Sequence, residues 1–159
     1  MLQFSIRNDM YRYFKKYFYI FAQPFRTLYW FVLRPRTCGV ICVVVNEGRV
    51  LLVKLKYGPK WWTPPGGNVN KGEDYVEAAK RECFEESGLC VSNVEFKYTY
   101  KNTSLYKRDT VGICTATYNG GELSIDENEV SEAKWFDIYN FPSNTYHRLN
   151  EVLHKLEIL

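Results

Sequence analysis

Residues 66–89 constrain the fold of this chain more than any other part of the sequence. They read GGNVNKGEDYVEAAKRECFEESGL, a glycine-rich loop followed by the clearest helical pattern in the chain. We predict a helix over residues 73–87 that ends at Gly88, because glycine readily adopts the left-handed conformation found at helix ends. The apolar stripe of this helix, which is expected to pack inward, consists of Val76, Ala79 and Cys83.

The same helix carries three crowded carboxylates. Glu82 lies three residues before Glu85 and four before Glu86, so the side chains are neighbours on a helix. Each like-charged pair costs roughly a few tenths of a kcal/mol on an exposed helix. One explanation is an ordinary solvated acidic face. The other is a site for Mg²⁺ or Mn²⁺, because these hard cations prefer oxygen ligands and would remove the repulsion.

Length and composition describe a globular chain with a mildly basic balance. With 159 residues, 46% of them hydrophobic, the chain is large enough for one domain with a substantial core. A net charge of +3 favours anionic small molecules slightly and is too small to indicate nucleic-acid binding by itself. The longest candidate apolar run, over residues 17–22, is too short for a membrane span or a signal peptide, so we expect a cytoplasmic protein.

The five cysteines are expected to be reduced core residues. Their number is odd, and neither a C-x-x-C pair nor paired histidines accompany them. This pattern argues against disulfides and against a structural zinc site. All five, which are Cys38, Cys42, Cys83, Cys90 and Cys114, stand in apolar surroundings, as small hydrophobic core residues do.

Outside the first helix, strand-like and helix-like patterns alternate without the regular spacing of βαβ units. VICVVV and RVLLVKLK predict a β-hairpin with its turn at residues 46–48, and YGPKWWTPPGG predicts a loop. Further strands are predicted over residues 91–100, 109–118 and 133–138, with a turn at 119–121 and a final helix over 144–158. We therefore predict an α/β (α+β mixed) fold with a mixed central sheet flanked by helices.

Residues 1–36 differ from the rest of the chain because they are rich in aromatic and basic residues. Their apolar residues recur at helical spacing, which predicts an amphipathic N-terminal arm that bends at Pro24 and ends before Pro35. Two explanations of the arm remain open. It packs on the domain or on a second copy of the chain, giving a homodimer, or it makes peripheral contact with an anionic membrane surface.

A longer pattern decides between the two explanations of the crowded glutamates. Gly67 is followed after five residues by Glu73 and, after seven more, by RECFEESGL. This resembles the signature of the Nudix hydrolases, G-x5-E-x7-R-E-U-x-E-E-x-G-U, in which U is a bulky aliphatic residue. Every fixed position is met, and the single departure is the small apolar Cys83 at the first U. WTPPGG before this box and ENEVSEAKWFDIYNFP after it are also similar to the family, so the resemblance covers residues 37–158.

The resemblance implies a Nudix-type α/β/α sandwich over residues 37–159, with residues 1–36 as an additional arm. It implies an enzyme, a metal-dependent pyrophosphohydrolase that cleaves the diphosphate bond of a nucleoside diphosphate linked to another moiety. Nucleotide sugars, dinucleotides and nucleoside triphosphates are substrates of this class, and water attacks phosphorus. The implied cofactor is Mg²⁺ or Mn²⁺, and its implied ligands are Glu82, Glu85, Glu86 and the carbonyl of Gly67.

The resemblance also implies roles for residues around the metal ligands. Arg81 would orient one of the carboxylates, and Glu73 would brace the loop against the helix. The family takes its general base either from the box or from a later loop. The candidates here are Glu82 and Glu129, with Glu127 behind them.

Candidate substrate contacts are aromatic and basic residues on or near loops beside the box. Stacking on a base is expected from some of four aromatic residues, Trp61, Trp62, Tyr57 and Tyr106, with core packing the alternative for at least one tryptophan. Lys54, Lys56 and Lys60 could meet phosphates or be ordinary exposed lysines. Tyr106 stands where dinucleoside polyphosphate hydrolases of the family carry a tyrosine, and the proline typical of ADP-ribose hydrolases is missing near Ser104.

Two functions of other classes remain as alternatives. A Nudix-fold module could bind and sense a nucleotide without cleaving it, although such modules usually lack box glutamates that this chain retains. The chain could instead dock on a membrane or a protein partner through residues 1–36.

Overall fold

The computed structural model describes residues 36–57, 60–102 and 108–159. The chain divides into two compact units, Met1–Thr37 with Asn102–Asp109, and Cys38–Lys101 with Thr110–Leu159. In the first unit, the Thr37 hydroxyl donates a hydrogen bond to the Asp109 carboxylate at 2.9 Å. The predicted arm falls outside the described residues except for Arg36, so the proposals of a homodimer and of membrane contact stay predictions.

The described residues form a seven-stranded sheet and two helices. In chain order the elements are β1 (Arg36–Asn46), β2 (Arg49–Leu55), β3 (Trp62–Thr63), β4 (Gly66–Asn68), α1 (Tyr75–Ser87), β5 (Val91–Asn102), β6 (Arg108–Tyr118), β7 (Val130–Asp137) and α2 (Leu149–Lys155). The strand order is β3-β2-β1-β6-β5, with β4 paired to β1 and β7 paired to β2.

The predicted hairpin is confirmed. β1 and β2 are antiparallel, with Val45 opposite Val50. Glu47 and Gly48, the two residues of the connection, have φ values of 50° and 71°. Positive φ at both central residues is the type I′ geometry whose twist matches that of the two strands. The local sequence therefore sets the register of the central pair of strands.

The sheet buries both of its faces, one under each helix. Successive residues of a strand point to opposite faces, so the continuous apolar run of β1 supplies both cores. The α1-side core contains Val40, Cys42, Val44, Leu51, Ala78, Ala79 and Cys83. The α2-side core contains Val43, Val50, Leu52, Trp62, Leu149, Val152 and Leu153. The predicted mixed α/β sandwich, with helices on both faces, is thus confirmed.

The prediction for α1 is confirmed, with a start two residues later than expected. Asp74 caps the helix, because its carboxylate accepts hydrogen bonds from the backbone N–H groups of Val76 and Glu77 at 2.8 Å each. The Asp74 N–H in turn donates a hydrogen bond to the Glu77 carboxylate at 3.1 Å, which completes a capping box. At the other end, Gly88 has φ 71° and its N–H donates to the Phe84 carbonyl. Both ends of α1 are therefore fixed by its own sequence.

The final helix is much shorter than the predicted 144–158. Trp62 of β3 donates its N–H to the Asn144 carbonyl and accepts from the Tyr146 N–H, at 2.8 and 2.7 Å. Because these backbone groups bond to β3, they are not available for helical hydrogen bonds, and the helix begins only at Leu149. At the C-terminal end, Glu157 has φ 56° and Ile158 donates to the Leu153 carbonyl. This is the Schellman arrangement that terminates a helix.

Other differences from the sequence-based expectations are smaller. The segment predicted as a loop before the helix contains the two short strands β3 and β4. All five cysteines are free thiols, and the expectation that all are core residues is wrong for Cys38 and Cys90, which are exposed. Both lie close to the ends of secondary-structure elements, where the core packing stops. In the described part of the chain, no helix combines the length and the apolar character that crossing a bilayer requires.

One close contact fixes the N-terminal end of α1 against the sheet. The ring of Tyr75 lies over Gly112 of β6, where a Cβ atom would come within 2.3 Å of a ring carbon. The Tyr75 ring also stacks on Phe96, with 5.1 Å between ring centroids. Glycine at position 112 therefore leaves the space in which this ring lies flat across the sheet.

We predict that Gly112→Ala destabilises the protein by about 1–3 kcal/mol, because overpacking forces the Tyr75 ring and α1 to move. Urea denaturation of the wild type, Gly112→Ala, Tyr75→Leu and the double variant measures the effect. In the Tyr75→Leu background the alanine should cost much less, since the ring it meets is gone. Equal costs of the alanine in the two backgrounds would contradict this explanation.

Candidate active site

A cleft of about 300 Å³ is lined by five carboxylates. Glu82, Glu85 and Glu86 come from α1, and Asp126 and Glu129 come from the segment before β7. Glu129 is held there partly by backbone bonds, because its carbonyl accepts from the Lys56 N–H at 2.8 Å and its N–H donates to the Asp126 carbonyl. The fold thus brings two distant acidic segments to one place.

Asp126 is the lining residue that sequence reasoning missed. Its carboxylate accepts hydrogen bonds from the backbone and side-chain nitrogens of Asn128 at 2.8 Å each. Asp126 belongs to the acidic stretch DENE and stands three residues before the candidate Glu129. This spacing was the only indication in the sequence that it lies near the site. Glu127 does not line the cleft, although its carbonyl accepts a bond from the Lys56 ammonium.

Arg81 connects the carboxylates to one another and to the loop before α1. Its Nε and Nη2 donate to the two oxygens of Glu73 at 2.8 and 2.9 Å, and Nη2 also donates to the Asn68 carbonyl at 2.8 Å. Its Nη1 donates to Glu82 at 2.7 Å and to Glu85 at 2.9 Å. A single guanidinium therefore offsets the repulsion between two of the crowded glutamates while it fixes the loop.

Glu73 is the carboxylate that Arg81 holds through the most hydrogen bonds. Its hydrogen bonds from Arg81, and the bond from the Asn70 backbone N–H at 2.9 Å, lower the pKa of Glu73 to about 2. Burial acts in the opposite direction and is outweighed. The ion pair with Glu73 raises the pKa of Arg81 above its ordinary value. Both groups are therefore charged near neutral pH, and Glu73 ties the loop to α1.

The pKa of Glu86 is shifted in the opposite direction. It is only 8% exposed, and this burial raises the pKa of Glu86 to about 8. The bond that its carboxylate accepts from the Gly66 N–H at 2.9 Å lowers the pKa in part, and the charges of Glu82 and Glu129 raise it further. Burial also raises the pKa of Glu82, against the effect of Arg81. Burial in the cleft therefore disfavours the charged forms of both Glu82 and Glu86.

Two glycines allow the loop to reach these carboxylates. Gly66 and Gly67 form β4, which pairs with β1 so that Gly67 lies opposite Val40. A Cβ atom on Gly66 would meet the Val40 carbonyl oxygen at 2.2 Å. A Cβ atom on Gly67 would meet the Glu82 carboxylate oxygens at 2.5 Å. A larger residue at position 66 would push β4 away from β1, and one at position 67 would displace the Glu82 carboxylate.

Comparison with known proteins is in agreement with this geometry. A family model described as the NUDIX domain matches residues 33–156, most of the chain. The chain belongs to the Nudix hydrolase family.

The curated relatives of this Nudix hydrolase include NAD-capped RNA hydrolases named NudC. The protein from Chromobacterium violaceum is 31% identical over 113 residues, which are 70% of this chain and 42% of the relative. The protein from Haemophilus influenzae is 32% identical over 111 residues, which are 64% of this chain and 40% of the relative. The chain thus spans about two fifths of the length of these relatives.

Solved structures share the fold. A MutT NUDIX hydrolase from Burkholderia pseudomallei superposes with a TM-score of 0.69 at 22% identity, covering 77% of this chain and 98% of that one. A bifunctional NMN adenylyltransferase/ADP ribose pyrophosphatase from Francisella tularensis gives a TM-score of 0.65 at 18% identity, covering 86% of this chain and 46% of that one.

Nudix hydrolases generally need divalent metal ions, and the donor set of the cleft fits such ions. Carboxylate oxygens are the ligands that Mg²⁺ and Mn²⁺ prefer, and a cation would stabilise the buried charge of Glu86. Within the described ranges, no three acidic, histidine or cysteine side chains already converge in metal-binding geometry. Each of Glu82 and Glu85 gives one oxygen to Arg81, so the second oxygen of each carboxylate remains available to a cation.

The two tryptophans beside the Nudix box have different surroundings. Trp62 is 6% exposed and packs edge-on against Phe136, with 4.8 Å between centroids. Lys54 lies over the Trp62 ring at 5.7 Å and pairs with Glu132 at 3.3 Å. Trp61 is 38% exposed and lies 6.2 Å from the rings of both Tyr146 and His147.

None of the predicted substrate contacts that the structure describes lines the cleft. Neither Trp62 nor Lys54 lines it, and both take part in packing between β2 and β7. Tyr57 follows β2 and is half-buried. Tyr106 lies outside the described residues. Of the aromatic candidates, Trp61 presents the most accessible ring among those the structure describes.

We predict that Glu86 makes the protein without metal less stable as the pH rises. Between about pH 4.5 and about pH 8, folded Glu86 keeps a proton that the unfolded chain releases. The unfolding free energy should therefore fall with rising pH, by up to about 1.4 kcal/mol per pH unit from this group. Urea denaturation in EDTA, from about pH 5 to about pH 8, measures the slope.

Glu86→Gln should remove this contribution, because the amide keeps the shape of the side chain and does not titrate. Glu122→Gln, on an exposed loop, is the matched control and should follow the wild-type profile. Parallel profiles for the wild type and Glu86→Gln would show that Glu86 is not protonated in the folded state.

Proposed function

We propose that this Nudix hydrolase is a pyrophosphohydrolase that cleaves the diphosphate bond of a dinucleotide such as NAD, including NAD at the 5′ end of an RNA. The observation that carries the reaction class is the cleft of five carboxylates with Arg81 bridging two of them. The substrate class is supported by the NAD-capped RNA hydrolases, which are about 30% identical to this chain over most of its length.

Glu82, Glu85 and Glu86 would hold Mg²⁺ or Mn²⁺, with the carbonyl of Gly67 as a further ligand. When bound, such ions neutralise charge on the oxygens of the diphosphate and lower the pKa of an attacking water. Arg81 keeps Glu82 and Glu85 directed toward the cleft and, through Glu73, keeps the β4 loop in place. This arrangement orients the ligands before substrate arrives, so less reorganisation is needed during the reaction.

We propose Glu129 as the general base that takes the proton of the attacking water, with Glu82 as the alternative. Glu129 lines the cleft and comes from a different segment from the α1 glutamates. Its side chain is exposed and accepts no bond from Arg81, whereas Glu82 is held by that guanidinium. A base must reach the water within hydrogen-bond distance, and the lining position of Glu129 is consistent with that requirement.

For the substrate, we propose that the exposed ring of Trp61 stacks on a base of the dinucleotide. Tyr57 and Tyr106 remain further candidates for this contact. The core position of Trp62 and the ion pair of Lys54 support structural roles for these two residues, which hold β3 and β7 against β2.

We predict that the purified protein with Mg²⁺ releases a nucleoside monophosphate from NAD or another compound of a panel of dinucleotides, nucleotide sugars and nucleoside triphosphates. Glu85→Gln and Glu86→Gln should lower kcat by about 100-fold or more, because each removes a charged ligand at the reacting phosphates. Chromatographic separation of the products measures the rates, and Glu122→Gln should behave as the wild type. Tight nucleotide binding without turnover across the panel would instead indicate a sensing module.

We also predict that Mg²⁺ stabilises the folded protein. An ion present at about 100 times its Kd adds about 2.7 kcal/mol to the unfolding free energy if it binds only the folded state. Thermal unfolding with Mg²⁺ and with EDTA measures this difference independently of activity. Glu85→Gln and Glu86→Gln should lose most of the increase. An undiminished increase in both variants would place the ion away from the cleft.

A further inference from the structure

A second group of aromatic and basic side chains lies outside the acidic cleft, around α2. We call it the aromatic–basic surface, and its members are Trp61, Tyr98, Tyr100, Tyr146, Arg148 and Lys155. They come from β5, from α2 and from the segments before β3 and α2. The proposed function uses only Trp61 of this set.

The rings and cations of this surface form a connected series. Trp61 lies 6.2 Å from Tyr146, whose hydroxyl is 2.8 Å from the hydroxyl of Tyr100. The guanidinium of Arg148 lies over the Tyr100 ring at 4.9 Å, and the ammonium of Lys155 lies over the Tyr98 ring at 3.7 Å. The aromatic faces therefore hold two cations at defined positions along β5.

The surface also offers room for a base. A cavity of about 620 Å³ lies beside it, and Tyr146 and the exposed His147 line this cavity. The ring of Tyr139, another lining residue, is 80% exposed. Cavities of this size accept small ligands, and aromatic walls suit the flat faces of bases.

The chain itself connects this surface to the acidic cleft. Gly66, which donates a bond to Glu86 of the cleft, is five residues after Trp61. Because an extended chain spans at most about 3.6 Å per residue, the Cα atoms of Trp61 and Gly66 lie within about 18 Å of each other. Lys60 also joins the two regions, since its carbonyl accepts a bond from the Asn144 side chain and its ammonium donates to the Lys56 carbonyl.

Arg148 and Lys155 are the groups of this surface that could contact the phosphates of a polyanion. Arg148 and Lys155 are accompanied by two acidic neighbours, Glu151, which is 3.9 Å from Arg148, and Glu157. The ion pair between Arg148 and Glu151 is exposed and long, and is therefore weak, so the guanidinium can still attract other anions. By contrast, the acidic cleft is lined by carboxylates alone.

We infer that the aromatic–basic surface binds the single-stranded RNA that continues from a 5′ dinucleotide whose diphosphate lies in the acidic cleft. Single-stranded RNA is recognised by bases stacking on aromatic or guanidinium planes and by cations that follow its phosphates, and this surface supplies both. Free NAD has no phosphate beyond the diphosphate that the cleft would hold, so it lacks the groups that Arg148 and Lys155 would contact. The inference rests on the proposed function, because it takes the cleft as the place where the diphosphate is cleaved.

The test compares two substrates on the full chain with Mg²⁺: free NAD and a short single-stranded RNA that begins with NAD. In Arg148→Ala/Lys155→Ala, the KM for the capped RNA should rise about tenfold, because two contacts to the RNA chain are lost. The kcat/KM for free NAD should stay within about twofold, which also shows that the variant is folded. The control is Arg49→Ala/Lys80→Ala, which removes one arginine and one lysine from other exposed positions.

Direct binding of the same RNA, measured by fluorescence anisotropy at several salt concentrations, separates this inference from the proposed function. Loss of RNA affinity in Arg148→Ala/Lys155→Ala, with a shallower salt dependence by about one contact or more, supports the surface. Retained affinity in that variant, an equal loss in the control, or equal binding of double-stranded RNA overturns it. Absence of hydrolysis of both substrates counts against the proposed function, while the binding result still decides the inference.

Discussion

The acidic cleft depends on the contacts of one guanidinium. Arg81 bonds to Glu73, to Glu82, to Glu85 and to the Asn68 carbonyl, so it joins the loop before α1 to the carboxylates on that helix. Like charges on adjacent turns of a helix repel one another, and a cation held between them removes the cost. The planar fork of arginine can serve several carboxylates at once, which a lysine ammonium cannot do with the same geometry.

Two regions of different chemical character use the same sheet. The continuous apolar run of β1 faces both sides of the sheet, with α1 packed on one face and α2 on the other. The segment from Trp61 to Gly66 connects the two regions, since Trp61 contacts Tyr146 near α2 and Gly66 bonds to Glu86 on α1. The proposed division of labour follows from this arrangement: the acidic cleft would act on the diphosphate, and the aromatic–basic surface would hold the chain that follows it.

Local features of the fold could be predicted from the sequence because their causes are local. The hairpin turn requires a positive φ at Gly48, and α1 carries its own capping box at Asp74 and its own stop at Gly88. The Nudix box likewise places Arg81 and the α1 glutamates on one helix, so their proximity follows from helical spacing alone. The length of α2 could not be predicted in this way. Backbone hydrogen bonds between Trp62 and the distant residues Asn144 and Tyr146 shorten this helix.

The sequence alone therefore determined the family, the helix that carries the carboxylates and the alternation that builds the sheet. Only the tertiary structure decided which neighbours these residues meet. Burial raises the pKa of Glu86, while its helical neighbour Glu85 stays half exposed, and spacing cannot distinguish the two. Asp126 joins the cleft, and Trp62 rather than Trp61 enters the core, through contacts between segments far apart in the chain. Such contacts depend on three-dimensional packing, which periodicity and spacing do not encode.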